Sequence, residues 1–302
     1  MEVMKTDLKK DFEQLFANSN GNLNYIANYL YLISQNKFKE AETFRTSIFP
    51  RKLIKFISLG ENEAENEKKF KTLEEKKIWI SNVTTLNDPY EFKSLYLDED
   101  KLKSLRFPEN IIANLKKILD RNMKKIGISS LSQNSYDSLP MWAYYTNNYA
   151  GYCVEYEVVD YRNVYRVCYE SERIPIASIL LNYIDSVEEA FKSGEEYTPE
   201  FAFYATILMS QFYIKHNSWS HEKEYRIIYP VDHPGENIPL SSVGLKTSRI
   251  VAGYKCKKEY IDRLQAVSDQ LSCGRVRQVQ ISPTKYTLLE EPSNDQNETG
   301  NA

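Results

Sequence analysis

Trp219-Ser220-His221-Glu222-Lys223-Glu224-Tyr225-Arg226 runs straight into Ile227-Ile228-Tyr229, so a charged stretch turns core-like without a break. Read as a strand, it sends Glu222, Glu224 and Arg226 to one face, because side chains alternate with a period of two. Two carboxylates and a guanidinium on one face are costly to bury without partners. The row belongs either to a surface ladder, with Arg226 neutralising the acids, or to a cleft where charge is used. Glu222 and Glu224 are therefore candidates for a general acid and base, or for carboxylates that hold sugar hydroxyls.

Upstream, Thr198-Pro199 is a well-formed start for a helix reaching Lys215, apolar on most faces and expected to be buried. A further helix is expected from Ile176 to Phe191. Tyr152 to Tyr156 and Val164 to Tyr169 read as paired strands, and Ile126 to Ser132 as another. Pro108 precedes a helix carrying Ile111, Ile112, Leu115, Ile118 and Leu119. Leu53 to Ile57 and Ile78 to Ile80 are short strands flanking a charged helix between Glu61 and Lys77. Downstream, Arg249 to Gly253, a helix from Lys257 to Leu271, and Val276 to Ile281 make a strand-helix-strand unit. Short strands interspersed with helices, without regular βαβ alternation, predict an α+β fold with a mixed or antiparallel sheet core.

Pro50 marks a boundary. Before it, helices are expected over Asp7 to Phe16 and Leu23 to Phe44, separated by Asn18 to Gly21, with Asn36 placed to split the second. Residues 1–49 thus form a helical N-terminal attachment, which either covers the core or docks a partner protein. Residues 50–289 form the core domain. Residues 290–302 are polar, without periodicity, and read as a disordered tail.

The 302 residues carry a net charge of -3, so no global basic field holds nucleic acid; a local basic patch, and nucleic acid as an acceptor, stay open. No apolar run approaches the ~20 residues of a membrane span. The N-terminus has no apolar leader, and Cys153, Cys168, Cys256 and Cys273 are scattered, which fits reduced thiols in the cytoplasm. His216, His221 and His233 form no His-Glu-x-x-His motif, so no metal is expected. Glycine-rich phosphate loops are absent. Asn87-Asp88-Pro89 is a turn signal, and Glu91 behind it has no assigned role.

Two further groups stand near the strand of serines. Ser130 and Ser132 share a face and can hydrogen-bond a ligand or a glutamate; no Gly-x-Ser-x-Gly elbow surrounds them. Met141-Trp142-Ala143-Tyr144-Tyr145 follows. Its rings either stack a flat ligand such as nicotinamide or a nucleobase, or wedge a helix against the sheet.

Several blocks, in order, resemble a bacterial family. These are Ile78-Trp79-Ile80-Ser81 with Leu86-Asn87-Asp88-Pro89-Tyr90-Glu91; Ser130-Leu131-Ser132; Met141-Trp142-Ala143-Tyr144-Tyr145; Gly151-Tyr152-Cys153-Val154-Glu155-Tyr156; and Trp219 through Arg226. Together they are similar to the family catalogued as domain of unknown function two-nine-seven-one, over roughly residues 51–289. A looser similarity is to ADP-ribosyltransferases, which implies split sheets and NAD as co-substrate. That resemblance implies Glu224 as the catalytic acid, Glu222 as its neighbour on the acceptor side, and Ser130 as the serine-motif residue. It implies Tyr144 or Tyr145 stacking nicotinamide. Its first strand should offer Arg or His; here Lys55-Phe56-Ile57-Ser58 stands, so Lys55 would meet phosphate as a point charge, with Arg226 available to help.

Two function classes lead, ahead of a glycosidase using the same carboxylates or a nuclease holding a metal on Asp88, Glu91, Glu222 and Glu224. One is an NAD-using ADP-ribosyltransferase-like enzyme, a bacterial toxin or anti-phage effector, with Lys55, Ser130, Ser132, Trp142, Tyr144, Tyr145 and Arg226 toward the nucleotide. The other is a noncatalytic module of a defence or regulatory system that binds a nucleotide or a partner protein.

Overall fold

Asn36 sits in the left-handed region (φ 58°) and splits the N-terminal apolar stripe into α1 (Asn24–Ser34) and α2 (Phe38–Thr46). The computed structural model describes residues 24–82, 86, 88–104, 108–123, 125–194, 198–231 and 235–290. The helix expected over Asp7 to Phe16, the Asn18–Gly21 break, Asn87, His233 and the tail beyond Glu290 lie outside the described residues.

After α2 come β1 (Lys52–Ile57), α3 (Glu63–Glu74), β2 (Lys77–Asn82), β3 (Leu95–Tyr96), α4 (Glu99–Ser104), α5 (Glu109–Met123), β4 (Ile126–Ser132) and α6 (Leu139–Tyr145). The chain continues through β5 (Tyr152–Val158), β6 (Val164–Arg166), β7 (Cys168–Glu170), β8 (Ile174–Pro175), α7 (Ala177–Ser193), α8 (Pro199–Met209) and β9 (Ile214–His216). It closes with β10 (Glu224–Pro230), β11 (Glu236–Pro239), β12 (Leu245–Ala252), α9 (Lys258–Leu271), β13 (Arg277–Ile281) and β14 (Leu288–Glu290). The described residues are α+β, with a mixed, mostly antiparallel open sheet.

The main sheet runs β11-β2-β4-β1-β5-β12-β13-β14, with β10 on β4 and β6 on β10. Its middle is covered on both sides, which is why β5 is buried at six of its seven positions. Tyr152, Val154 and Tyr156 enter a core roofed by Phe70 and Leu73 of α3 and Leu264 and Val267 of α9. On the other side, Ile128 and Ile228 meet Ile26 and Leu30 of α1, Ile179 and Leu180 of α7, and Phe203 and Ile207 of α8.

Arg45 of α2 binds these layers. Its buried guanidinium donates to the Val164 and Tyr161 carbonyls and lies over the Tyr165 ring, 4.7 Å from the centroid. Described residues before Pro50 therefore pack into the same structure as the rest.

One detail of the sheet positions the site. β10 pairs with β4 along its length, from Pro230 opposite Ile126 to Glu224 opposite Ser132. On the other edge of β4, β2 takes only Gly127 and Ile128, and β1 takes only Ser132. Ser129, Ser130 and Leu131 are left without a registered partner on that edge. The sheet forks there, with β1 and β2 as the tines.

Three expectations need correction. The helix from Pro199 ends at Met209 rather than Lys215; Ser210–Phe212 tightens into a 3-10 turn, and Ile214 pairs with Cys168 as a parallel strand. The strand from Val164 to Tyr169 does not pair with Tyr152 to Tyr156, which lies between β1 and β12; it breaks at Val167, whose N–H turns to the Glu224 carbonyl, so β6 joins β10 and β7 joins β9. The expected strand from Glu222 starts only at Glu224, because Asn217–Glu222 is a 3-10 turn capped by left-handed Lys223 (φ 45°).

Candidate functional site

Because Lys223 breaks the alternation, Glu222 and Glu224 are not neighbours on one strand face, yet both carboxylates reach the same ammonium. Lys215 Nζ lies 2.7 Å from Glu222 Oε2 and 3.2 Å from Glu224 Oε2, and Glu91 Oε2 is 3.8 Å away. The short strand β9 carries Lys215 in, and the Asp88-Pro89 turn carries Glu91 in, with Asp88 Oδ1 accepting the Tyr90 N–H. Arg226, fully buried, donates through Nε to Glu224 Oε1 at 2.8 Å and through Nη1 to the Phe212 carbonyl at 2.7 Å, and also pairs with Glu91. Three carboxylates thus meet two cations within the protein.

The balance of terms sets the protonation. Burial alone would raise Glu224; the Arg226 guanidinium and then Lys215 outweigh it and hold the carboxyl at about 2. The Ser130 hydroxyl also hydrogen-bonds it. Glu91 goes the other way: burial raises its pKa beyond what Arg226 and Lys215 recover. Burial, then the Glu222 carboxylate, pushes the Tyr145 phenol up, so it stays a donor to Glu222 Oε1.

The acids face a cleft of about 250 Å³ whose lining includes Lys55, Ser130, Ser132, Tyr145, Lys215 and Trp219. Lys55 enters it from β1, across the fork. Its ammonium donates to Ser129 Oγ at 2.7 Å and to the Ser130 carbonyl at 3.3 Å, taking the place of the missing ladder. Desolvation lowers Lys55 to about 8, against a weaker opposing pull from Glu224.

The fold therefore gathers Glu222, Glu224, Ser130, Ser132, Tyr145 and Lys55 around one cleft. Ser132 does so indirectly, because its hydroxyl donates to the Glu222 carbonyl and accepts the Asn134 N–H, fixing the turn. Three expected nucleotide contacts are corrected. Trp142 is fully buried, its indole N–H on the Tyr136 carbonyl and its ring edge-on to Phe56; it is the wedge. Tyr144 is exposed and stands beside His221, outside the cleft lining. Arg226 is enclosed by its acids and by Phe92, with no surface for a ligand.

Lys215 was missed, while Glu91 and Trp219 were named without a role in this ion network. The signal for Lys215 was energetic: two acids next to an apolar run require a cation, and Lys215 lies only seven residues before Glu222. It sits 4.9 Å from the Trp219 ring centroid, which completes its surroundings. Asp88, Glu91, Glu222 and Glu224 all line the cleft, but around an ammonium; among the described residues no acid, histidine or cysteine group is arranged to hold a metal ion. Among them, too, no helix is long and apolar enough to cross a membrane.

No curated protein and no solved structure matches the chain. Over residues 141–227, from Met141 of α6 to Ile227 of β10, the chain matches the model of a family described as protein of unknown function, DUF2971, a span that holds Tyr145, Lys215, Glu222 and Glu224.

Proposed function

We propose that the cleft at the fork binds a nucleotide, with the ribose hydroxyls toward Glu224, Ser130 and Glu222 and an anionic group toward Lys55. The observation that carries this reading is Lys55: a half-buried ammonium in a cleft lining, held by a hydroxyl and a carbonyl, with no carboxylate at ion-pair distance among the described residues. A cation desolvated without a counter-charge costs stability and gains it back when an anion arrives. Thermal denaturation with NAD, ATP and GTP tests this. A rise in Tm with one of them, lost in Lys55→Met, is expected; three flat profiles end the reading.

A second reading, ADP-ribosyl transfer from NAD, is favoured by the ion-paired Glu224 carboxylate beside Ser130. The C1′–N bond to nicotinamide would break, the leaving ring taking the electron pair, and an acceptor nucleophile would bond to C1′ as its proton leaves toward Glu222 or water. Glu224, its oxygens already shared by Arg226, Lys215 and Ser130, would act by charge on the oxocarbenium-like centre rather than as a base. Nicotinamide release from NAD, lost in Glu224→Gln while nucleotide binding persists, is the expected result. Release unchanged by that substitution removes Glu224 from the chemistry.

A further inference from the structure

On the far side of the fork lies a second and larger hollow, of about 560 Å³, between α3 and strands β1 and β2. It shares Lys55, Phe56 and Tyr145 with the acid-lined cleft, so the two meet at the fork. Its volume falls within the roughly 300–1,000 Å³ of small-molecule sites.

Four lysines line it, namely Lys55, Lys68, Lys69 and Lys77, against a single acid, Glu65. They are not equivalent. Lys68 is paired with Glu65 at 2.6 Å and Lys77 with Glu75 at 2.7 Å. Lys69, half-buried on α3, instead donates to the Ser58 carbonyl at 2.9 Å and to Ser58 Oγ at 3.2 Å. Lys55 likewise has only neutral partners. Among the described residues, the hollow thus holds two ammonium groups with no carboxylate at ion-pair distance. Each has three N–H donors, of which two are engaged. Phe56, Leu73, Ile78, Tyr156 and the half-exposed Trp79 supply apolar walls.

We propose that this hollow is the phosphate subsite of the nucleotide, Lys55 and Lys69 gripping a diphosphate from its two sides while the ribose passes the fork into the acid-lined cleft. The assignment rests on the nucleotide-binding reading but makes its own demand, since the acid side plays no part in it. Neutral hydroxyl and carbonyl partners keep the two ammonium groups in place without cancelling their charge. An acid there would do both. The Trp79 indole on the same wall is a platform for the base, which sets a nucleoside diphosphate apart from bare pyrophosphate.

The test is titration calorimetry of the full chain with inorganic pyrophosphate and with ADP, at low and raised salt. Pyrophosphate should bind, and weaken with salt as an interaction of opposite charges does. Lys69→Met and Lys55→Met should each weaken it by about tenfold, the loss of one charge-assisted contact. Trp79→Leu should weaken ADP and leave pyrophosphate unchanged. Circular dichroism and the Tm of each variant separate lost contacts from lost folding, and Lys69→Arg, which keeps the charge, should retain binding. No pyrophosphate or ADP binding to the unaltered chain overturns the proposal, as does binding indifferent to both lysine substitutions. Pyrophosphate binding without nicotinamide release leaves the subsite standing and removes only the transferase reading. NAD binding that ignores Lys69 does the reverse. An oligonucleotide that outcompetes ADP by several orders of magnitude would make the hollow part of a nucleic-acid track and overturn the small-molecule assignment.

Discussion

The two sides of the fork hold charge in opposite ways. On the acid side, Glu91, Glu222 and Glu224 interlock with Lys215 and Arg226, so that every carboxylate has a cation within ion-pair distance. On the lysine side, Lys55 and Lys69 rest on hydroxyls and carbonyls, with no carboxylate at ion-pair distance among the described residues. A compensated network fixes geometry, because each ion is costly alone. An uncompensated cation is a standing cost that only an anion relieves. The difference teaches that, in one cleft system, the most densely ion-paired residues need not be those that meet an anion.

Removing a member of the network should show this most strongly. Arg226→Met leaves Glu224 and Glu91 buried without their main partner. We expect a loss of about 3–5 kcal/mol, read from denaturant unfolding. A loss below about 1 kcal/mol would mean the acids find water instead, and the contrast between the two sides would fall.

Acid should act on the same network with a smaller effect. Glu224 titrates at about 2 in the folded chain and at its usual 4.5 when unfolded. A depressed carboxyl contributes stability that is full above pH 4.5 and disappears as pH falls toward 2. The contribution is on the order of 3 kcal/mol. Glu224→Gln should flatten that part of the stability curve; an unchanged acid limb assigns it to other carboxyls.

Much of this arrangement was legible in the sequence, and what was not has a physical reason. The strand Ile126–Ser132 was read to the residue. The looser resemblance grouped Glu222, Glu224 and Ser130 with either Tyr144 or Tyr145, whereas the residues themselves gave only the two acids, and by a wrong route. A period of two placed both acids on one strand face, whereas a left-handed Lys223 brings them together. Lys215 was hidden because apolar periodicity extends a helix past the point where 3-10 tightening and strand pairing with β7 end it. Trp142 and Tyr145 belong to one aromatic run, and only the packing of α6 decides which faces the core. Lys69 carried no local signal, since a lysine on a charged helix reads as solvent-facing until the helix is laid across the fork.

On the lysine side the sign reverses. Lys55→Met removes a desolvated ammonium and should raise stability by about 1 kcal/mol at pH 7 while lowering affinity for phosphate. Lys55 titrates at about 8 folded and at 10.5 unfolded, so between these values the unfolded chain binds more protons and stability rises with pH. The gain from Lys55→Met should therefore shrink from pH 8 upward. A destabilised Lys55→Met at neutral pH would make Lys55 a structural strap across the fork, and the comparison would lose its second half.

The smallest effect is the sharpest control. Lys68 lines the same hollow as Lys69 and is its neighbour in sequence, but it is exposed and paired with Glu65 across one helical turn. Exposed pairs at this spacing contribute about 0.5 kcal/mol or less. Lys68→Ala should therefore leave Tm almost unchanged. Its charge is partly cancelled by Glu65 and screened by water, so pyrophosphate affinity should fall by no more than about twofold, against about tenfold for Lys69→Met. Equal losses at the two positions would mean that the hollow attracts phosphate by general field alone. Unequal losses in the expected order would tie binding to what separates these adjacent lysines, the partial burial of Lys69 and its lack of a carboxylate at ion-pair distance.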